Sequence, residues 1–245
     1  MTAVPLTHNL LLDAMPEASR RRLGDAGRVI EYQLEEVPFQ EHEPSPVLFP
    51  LDAVVSLLRR LEDGTEIEVA MVGPEGVVGV NALLGVPGNA HTGLIQGRGE
   101  ALRLDPAVVR EEMERERGVA HVLQKFIYTH IASTSQLAAC NRLHTVEQRL
   151  AHWLLILHDR TGSDVLSLTH EFLSRMLATR RPGITVAMGA LSSAGAIEQR
   201  RNRVRVVDRA TLERMSCECY KTEVTDFEIA LGFRPVAKPR INEVD

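Results

Sequence analysis

The chain has 245 residues, with 28 Lys+Arg against 33 Asp+Glu and a formal net charge of −5. Apolar residues make up 44% and charged residues 25%, the balance of a globular protein rather than a disordered one. There is no apolar run of roughly 18 residues, so no membrane span is expected. The first residues lack a basic segment ahead of their short apolar stretch, which is not the form of a secretory signal. Three cysteines (Cys140, Cys217, Cys219) fit a reducing cytoplasm better than a disulfide framework. The negative charge speaks weakly against a nucleic-acid partner, because partners feel local rather than total charge.

Residues 8–23 predict a short helix, with Leu10, Leu11, Met15 and Leu23 near one face and Asn9 placed to cap it. From Arg28 to about Leu104 the texture turns to β. Residues 65–72 (TEIEVAMV) alternate, with Ile67, Val69 and Met71 on one face and Glu66, Glu68 and Ala70 on the other. They follow 54–58 (VVSLL) across Glu62-Asp63-Gly64, a hairpin signal. Further strands are expected at 28–34, 46–49, 77–80, 92–96 and 100–104. Many short strands punctuated by glycine read as a small sandwich or barrel. Pro106 suits the first turn of a charged helix over 106–117. A second helix, free of Gly and Pro, runs from about Val119 to Ala139. One of its stripes holds Leu123, Ile127, His130, Thr134 and Leu137, and the next holds Val122, Phe126, Thr129 and Ser133. So wide an arc needs more than one packing partner. It reads either as a helix on its own barrel or as a dimer seam of open register.

Thr145-Val-Glu-Gln148 has the form of a capping box, and Leu150, Trp153, Leu154 and Leu157 follow on a core face that Thr161-Gly162 ends. His152 and His158 read as ordinary residues of that helix. Leu168-Thr169 opens a short helix with Leu173, Met176 and Leu177 inward. Pro182 opens another with Ile184, Ala187, Met188 and Leu191 inward, ending near Gly195. Ala196-Ile197 and 203–207 (RVRVV) alternate as a ribbon around 199–202 (QRRN). A final helix is expected from 209 to about 220, and a loose tail after Phe233.

Two short helices, a four-residue turn and a ribbon make a winged helix-turn-helix. Leu173, Leu177, Ile184 and Ala187 supply the contacts between its helices, and Ala178 the small residue of its turn. Arg180, Arg181, Gly183 and Thr185 stand exposed at the start of the helix that would enter a major groove. Residues 169–205 hold seven arginines against two glutamates, a net +5, so the other 208 residues carry −10. A basic module on an acidic chain is the distribution expected of a phosphate-binding domain. For Arg200-Arg201 the alternative is a solvated turn, and Arg180 occupies a cap position that Thr179 would fill better.

This order of parts resembles the Crp/Fnr superfamily of bacterial transcription regulators over about residues 8–215. The most specific stretch is 168–181 (LTHEFLSRMLATRR), followed by Ile184-Thr185-Val186. Residues 139–144 (ACNRLH), 147–154 (EQRLAHWL) and 217–220 (CECY) are similar to one subgroup. The resemblance implies an α+β fold. A cyclic-nucleotide-binding-like β-barrel of jelly-roll type over 1–117 would be the sensory domain, 118–142 the dimerisation helix, and 143–215 the winged helix-turn-helix, with a C-terminal extension over 216–245. It also implies a cytoplasmic homodimer on palindromic double-stranded DNA, in contact with RNA polymerase. Arg181 and Thr185 would face base edges beside Gly183. Thr169, Arg180 and the wing residues Arg200, Arg201 and Arg203 would hold phosphates. Signal occupancy of the barrel would shift the long helices and so the spacing of the two recognition helices.

The chain departs from the cyclic-nucleotide-binding members of that superfamily. Residues 78–81 (VGVN) and 89–92 (NAHT) put Val80 in place of the ribose carboxylate and Ala90, or His91, in place of the phosphate arginine. Glu75 lies earlier and does not restore the pattern, so a cyclic nucleotide is not expected to bind and no cofactor is implied. Iron–sulfur members place cysteines near the N-terminus, whereas none here precedes Cys140, and nothing requires haem. Cys217-x-Cys219 reads with Cys140 as metal ligands, as a redox pair or, preferred for want of histidines at ligand spacing, as small packing residues. A cupin-like enzyme would group His/Glu ligands on adjacent strands, but His42 and His91 stand alone. Ser/His/Asp and phosphate-loop signatures are missing, so no enzyme is expected. The remaining alternative is an interaction or sensory module with a vestigial DNA-binding domain.

Overall fold

The computed structural model describes residues 8–237. Asn9 caps α1 (Leu10–Asp13): its Oδ1 accepts from the Leu12 amide at 2.8 Å, while its Nδ2 donates to the carbonyls of Pro50 and Gly76. The single helix expected over 8–23 is in fact two. Pro16 cannot donate a helical hydrogen bond, so the chain breaks there and α2 (Glu17–Ala26) begins.

Six strands follow as two antiparallel three-stranded sheets. β1 (Arg28–Tyr32), β6 (Gly99–Leu104) and β2 (Val47–Pro50) form one, in the order β1-β6-β2. β4 (Glu66–Val72), β3 (Val54–Arg60) and β5 (Thr92–Gly97) form the other, in the order β4-β3-β5. Tyr32, Phe49, Val55, Ile95 and Leu102 lie in the apolar core of this unit. The Asp63-Gly64 turn closes the β3–β4 hairpin as expected, with the Leu61 amide donating to the Thr65 carbonyl at 2.8 Å. The strict alternation expected along 65–72 fails in the middle. Leu57 pairs with Ala70 and Leu58 with Glu68, so Val69 is an extra residue and Glu68 turns into the interior. The strand expected at 77–80 reduces to a single bridge, Leu48 with Val78, followed by the short helix α3 (Val80–Leu83). Gly79 makes the bend at φ 98, and a Cβ there would lie 2.4 Å from the Pro46 carbonyl oxygen.

Asp105 caps α4 (Pro106–Arg115), which stops two residues before the expected end because Glu116 turns to cap α5 (Arg117–Leu143). At 27 residues α5 is about 40 Å long. Its two predicted stripes turn mostly toward the same chain. Leu123, Phe126 and Thr129 are buried, Val122, Ile127, His130, Ser133 and Leu137 are half-buried, and only Thr134 is exposed. The arc is wide because α5 packs against several elements of its own chain, among them α4, β4 and α10 (Cys219–Leu231).

The capping box at Thr145 and Gln148 starts α6 (Val146–Thr161), which Gly162 ends at φ 62. Next come β7 (Val165–Leu166), α7 (His170–Met176), α8 (Arg181–Ser193), β8 (Ile197–Arg200), β9 (Arg203–Val206) and α9 (Arg209–Met215). The expected two-stranded ribbon gains β7 as a third strand, in the order β7-β9-β8. The expected final helix stops at Met215, and α10 then runs back along α5 and α6. Its buried residues Cys219, Tyr220, Glu223, Val224 and Phe227 recur at helical spacing. Of the expected loose tail, residues 234–237 are docked, with the Ala237 amide donating to the Asp159 carbonyl at 2.7 Å. The rest of that tail, and the first seven residues of the stretch read for a signal, lie outside the described residues. Among the described residues, no helix is long and apolar enough to cross a membrane.

Candidate nucleic-acid interface

Thr169 opens α7 by accepting the Phe172 amide on its Oγ1 at 3.1 Å, so its hydroxyl is committed to the cap. Leu173, Leu177, Ile184 and Ala187 are all buried between α7 and α8, as their spacing predicts. Ala178 takes φ 44 in the turn between the helices. Alanine has no β-branch, so it enters that region at modest cost. α8 begins at Arg181 with Pro182 in its first turn, and Arg180 holds the cap position without a side-chain cap bond. At the wing tip Asn202 takes φ 57, which sets Arg200 opposite Arg203.

A groove of about 260 Å³ runs between α8 and the wing, bordered by Thr169, His170, Arg181, Arg200, Arg201 and Arg203 among others. The structure thus brings five of the eight sequence-predicted residues together. Arg180 instead faces a separate recess beside the β3–β4 turn, with Thr65, Glu66 and Thr179. Thr185 is exposed, next to Val186, which is 67% exposed, whereas Gly183, expected to be exposed, is half-buried against Thr179. Arg181 approaches Glu171 at 3.7 Å; both are exposed, so the pair holds that guanidinium only weakly. Not every arginine of the module faces outward freely: Arg175 stacks over Phe172 and lies 3.8 Å from Glu66.

Sequence reasoning missed His170. Its Nδ1 lies 3.1 Å from Thr185 Oγ1 and its Nε2 lies 3.4 Å from Gln199 Oε1, so one ring ties α7 to α8 and to the wing. Gln199 Nε2 in turn donates to the Met188 carbonyl at 3.0 Å. The only signal in the sequence was a histidine one residue after a helix cap, which has no pattern of its own.

The module is joined to the sheets through buried polar contacts. Trp153 Nε1 of α6 donates to Glu68 Oε1 at 2.8 Å, and Ser56 donates to the other carboxylate oxygen at 2.5 Å. Burial pushes the Glu68 carboxyl up to about 7 despite these bonds. Arg160 of α6 pairs with Glu75, after β4, at 2.7 Å and with Glu223 of α10 at 3.0 Å. Burial drives the Glu75 carboxyl upward against the pull of Arg160. It pushes Glu223 upward too, but there His152 and Arg160 prevail and hold the carboxyl below its ordinary range. A cavity of about 70 Å³ lies among these groups, lined also by His130, which burial, aided by the charge of His91, lowers to about 4. His152 and His158 are therefore more than ordinary helix residues: His152 lies 3.6 Å from Glu223, and His158 sits between Asp164 and Arg209.

The stretch that would cradle a cyclic phosphate is tied up in its own loop. Asn81 Nδ2 donates to the carbonyls of Val86 and Gly88. Arg59 is held by Glu41 at 2.7 Å and by the Ala90 carbonyl at 2.5 Å. Burial, then the charge of Arg59, hold His91 below the ordinary imidazole range, which makes it a poor cation. The Phe39 ring covers Gly93, where a Cβ would lie 2.5 Å from it.

Residues 148–215 match the model of the Crp-like helix-turn-helix domain. No curated protein sequence matches the chain. Solved structures with similar folds include a CRP-family transcriptional regulator of Thermus thermophilus, with a TM-score of 0.65 and 20% identity over 76% of this chain and 96% of that one. FixK2 of Bradyrhizobium japonicum gives a TM-score of 0.67 at 16% identity, over 78% of this chain and 98% of that one. The global regulator CLP of Xanthomonas campestris, described as responsive to c-di-GMP, gives 0.65 at 14% identity, over 79% and 100%.

Proposed function

We propose that this chain, which carries a Crp-like helix-turn-helix DNA-binding domain in a Crp/Fnr regulator fold, is a homodimeric transcription regulator that reads a palindromic operator. The observation that carries this reading is the groove between α8 and the wing, where Arg181, Arg200, Arg201 and Arg203 converge on one face. Arg181 and Thr185 would meet base edges, with Gly183 allowing close approach and Val186 available to a thymine methyl. Arg180, Arg200, Arg201 and Arg203 would hold phosphates, and Thr169 would bring its backbone, since its hydroxyl is spent on the cap.

The second copy docks along α5 in this reading. His121, Gln124, Tyr128, Ile131, Ser135, Ala138 and Arg142 are all exposed and follow one another at alternating spacings of three and four. That is the register of a two-stranded seam, and it differs from both stripes seen in the sequence. Two symmetry-related α8 helices would then meet half-sites about 34–36 Å apart. The signal enters at the sheet domain and is not a cyclic nucleotide, because the phosphate loop offers no free cation among the described residues. RNA polymerase would be the further partner, and the cytoplasm the place of action.

The test begins by selecting an operator from random duplexes, then measures anisotropy over a range of salt. Arg181→Ala should cost about 1–3 kcal/mol on the operator and narrow its advantage over random DNA. Arg201→Ala should weaken both DNAs alike and reduce the salt slope by about 1. Failure to enrich any operator, or an identical loss of preference in both variants, would overturn the assignment.

A further inference from the structure

Three thiols distant in sequence meet at the end of the long helix. Cys140 lies on the last turns of α5, and His144, four residues on, caps that helix and so points the same way. Cys217 and Cys219 lie where the link from α9 enters α10. One donor atom from each of these four residues falls within 4.8 Å of all the others. Cys140 Sγ is 3.5 Å from Cys217 Sγ, and Cys219 Sγ is 3.5 Å from His144 Nδ1. A tetrahedral ion with bonds of about 2.3 Å to sulfur and 2.0–2.1 Å to nitrogen would set its donors roughly 3.5–3.8 Å apart.

The groups around the cluster point the same way. His144 turns Nδ1 toward the sulfurs and places Nε2 3.3 Å from the Glu218 carboxylate. A ligating imidazole is commonly fixed by a carboxylate in this manner. Gln136 Nε2 donates to Cys219 Sγ at 3.0 Å, as an amide does to a thiolate. All three cysteines are buried and free. Packing for size alone, the reading that the sequence favoured, gives no reason to gather three sulfurs and the His144 nitrogen within 4.8 Å of one another, with His152 Nδ1 a further 3.7 Å contact of Cys140 Sγ. The missing histidine is His144, four residues after Cys140, and it was hidden because the other two partners, Cys217 and Cys219, lie more than 70 residues away in the chain.

We propose that Cys140, His144, Cys217 and Cys219 form a closed Cys₃His site for a borderline-soft divalent cation, zinc(II) in the first instance. The ion forms three bonds to sulfur and one to nitrogen, and each ligating thiol passes its proton to solvent with no change of oxidation state. It clamps the segment that follows the DNA-reading unit onto the end of α5, and so fixes that unit's orientation on the long helix.

The test uses the full chain, purified with a thiol reductant and stripped of metal, then titrated with zinc(II) and separately with cobalt(II). One equivalent should bind per chain. Cobalt should give the intense visible and near-ultraviolet bands of a tetrahedral thiolate centre, and zinc should bleach them. Zinc should also shield all three thiols of the wild-type chain from a thiol reagent, a readout that needs no variant. Cys219→Ser and His144→Ala, checked for helix content by circular dichroism, should lose the stoichiometric metal, while Glu218→Gln should keep it with an affinity about 10–100-fold weaker. A reduced chain that takes up neither ion, or folded Cys219→Ser that binds as well as wild type, would overturn the site. So would a Cys140–Cys217 disulfide in a chain isolated without metal, which would make the cluster a redox pair.

Discussion

Glu68 carries a carboxyl into a place where the strand pattern would put an apolar side chain. It is 6% exposed, and Ser56 and Trp153 both donate to it. With its folded value raised to about 7 from 4.5, the folded state holds a proton that the unfolded chain releases. Stability tied to Glu68 is therefore full below about pH 4.5 and is lost as the pH rises to about 7, by about 3 kcal/mol in all. Glu68→Gln should remove this dependence. Urea unfolding should find the variant more stable than wild type at pH 8, with the difference shrinking toward pH 5. A difference that grows on acidification would refute the assignment. The alternation of residues 65–72 put Glu68 with Glu66 and Ala70 on the face opposite Met71, because the extra residue at Val69 is invisible in a pattern of period two.

At the scale of elements, the parts specified by local chemistry were legible. The Asn9 cap, the Asp63-Gly64 turn, the capping box at Thr145, the Ala178 turn and the proline-led start of α8 all stand where the residues indicated. The parts decided by packing were not. The stripes of α5 face α10 and β4, and α10 escaped notice because its buried set mixes Cys219 and Glu223 with apolar residues. What α5 leaves uncovered is the row centred on Tyr128 and Ile131, 62% and 60% exposed. If that row is the seam between two copies, Ile131→Asp places like charges against each other across it. Light scattering coupled to gel filtration should show the wild type at twice the chain mass and the variant at one chain mass at micromolar concentration. A variant that stays dimeric would move the seam elsewhere.

For the molecule as a whole, the order of sheet domain, long helix and winged module could be read from the sequence, since periodicity and arginine placement report it directly. How these units are fastened could not, because the fastening is made of single side chains that pair across the chain. Arg160 is the centre of it, with Glu75 on the sheet side and Glu223 on α10. Arg160→Met would strand two buried carboxylates and should cost about 3–5 kcal/mol in urea unfolding. A loss below about 1 kcal/mol would mean that the network is relaxed by water.

The path of the chain around the reading unit has a mechanical consequence. It leaves α5 at His144 and returns to lie along it from Cys219 to Leu231. Departure and return meet at one place, since Cys219 Sγ lies 3.5 Å from His144 Nδ1, so this end alone would act as a single joint. The reading unit is therefore held at two places, the end of α5 and the face of β3 and β4, where α6 and α7 rest. If the chain is regulated as proposed, a shift of the sheets would carry α8 with it through the second attachment, and the joint at the end of α5 would be the pivot.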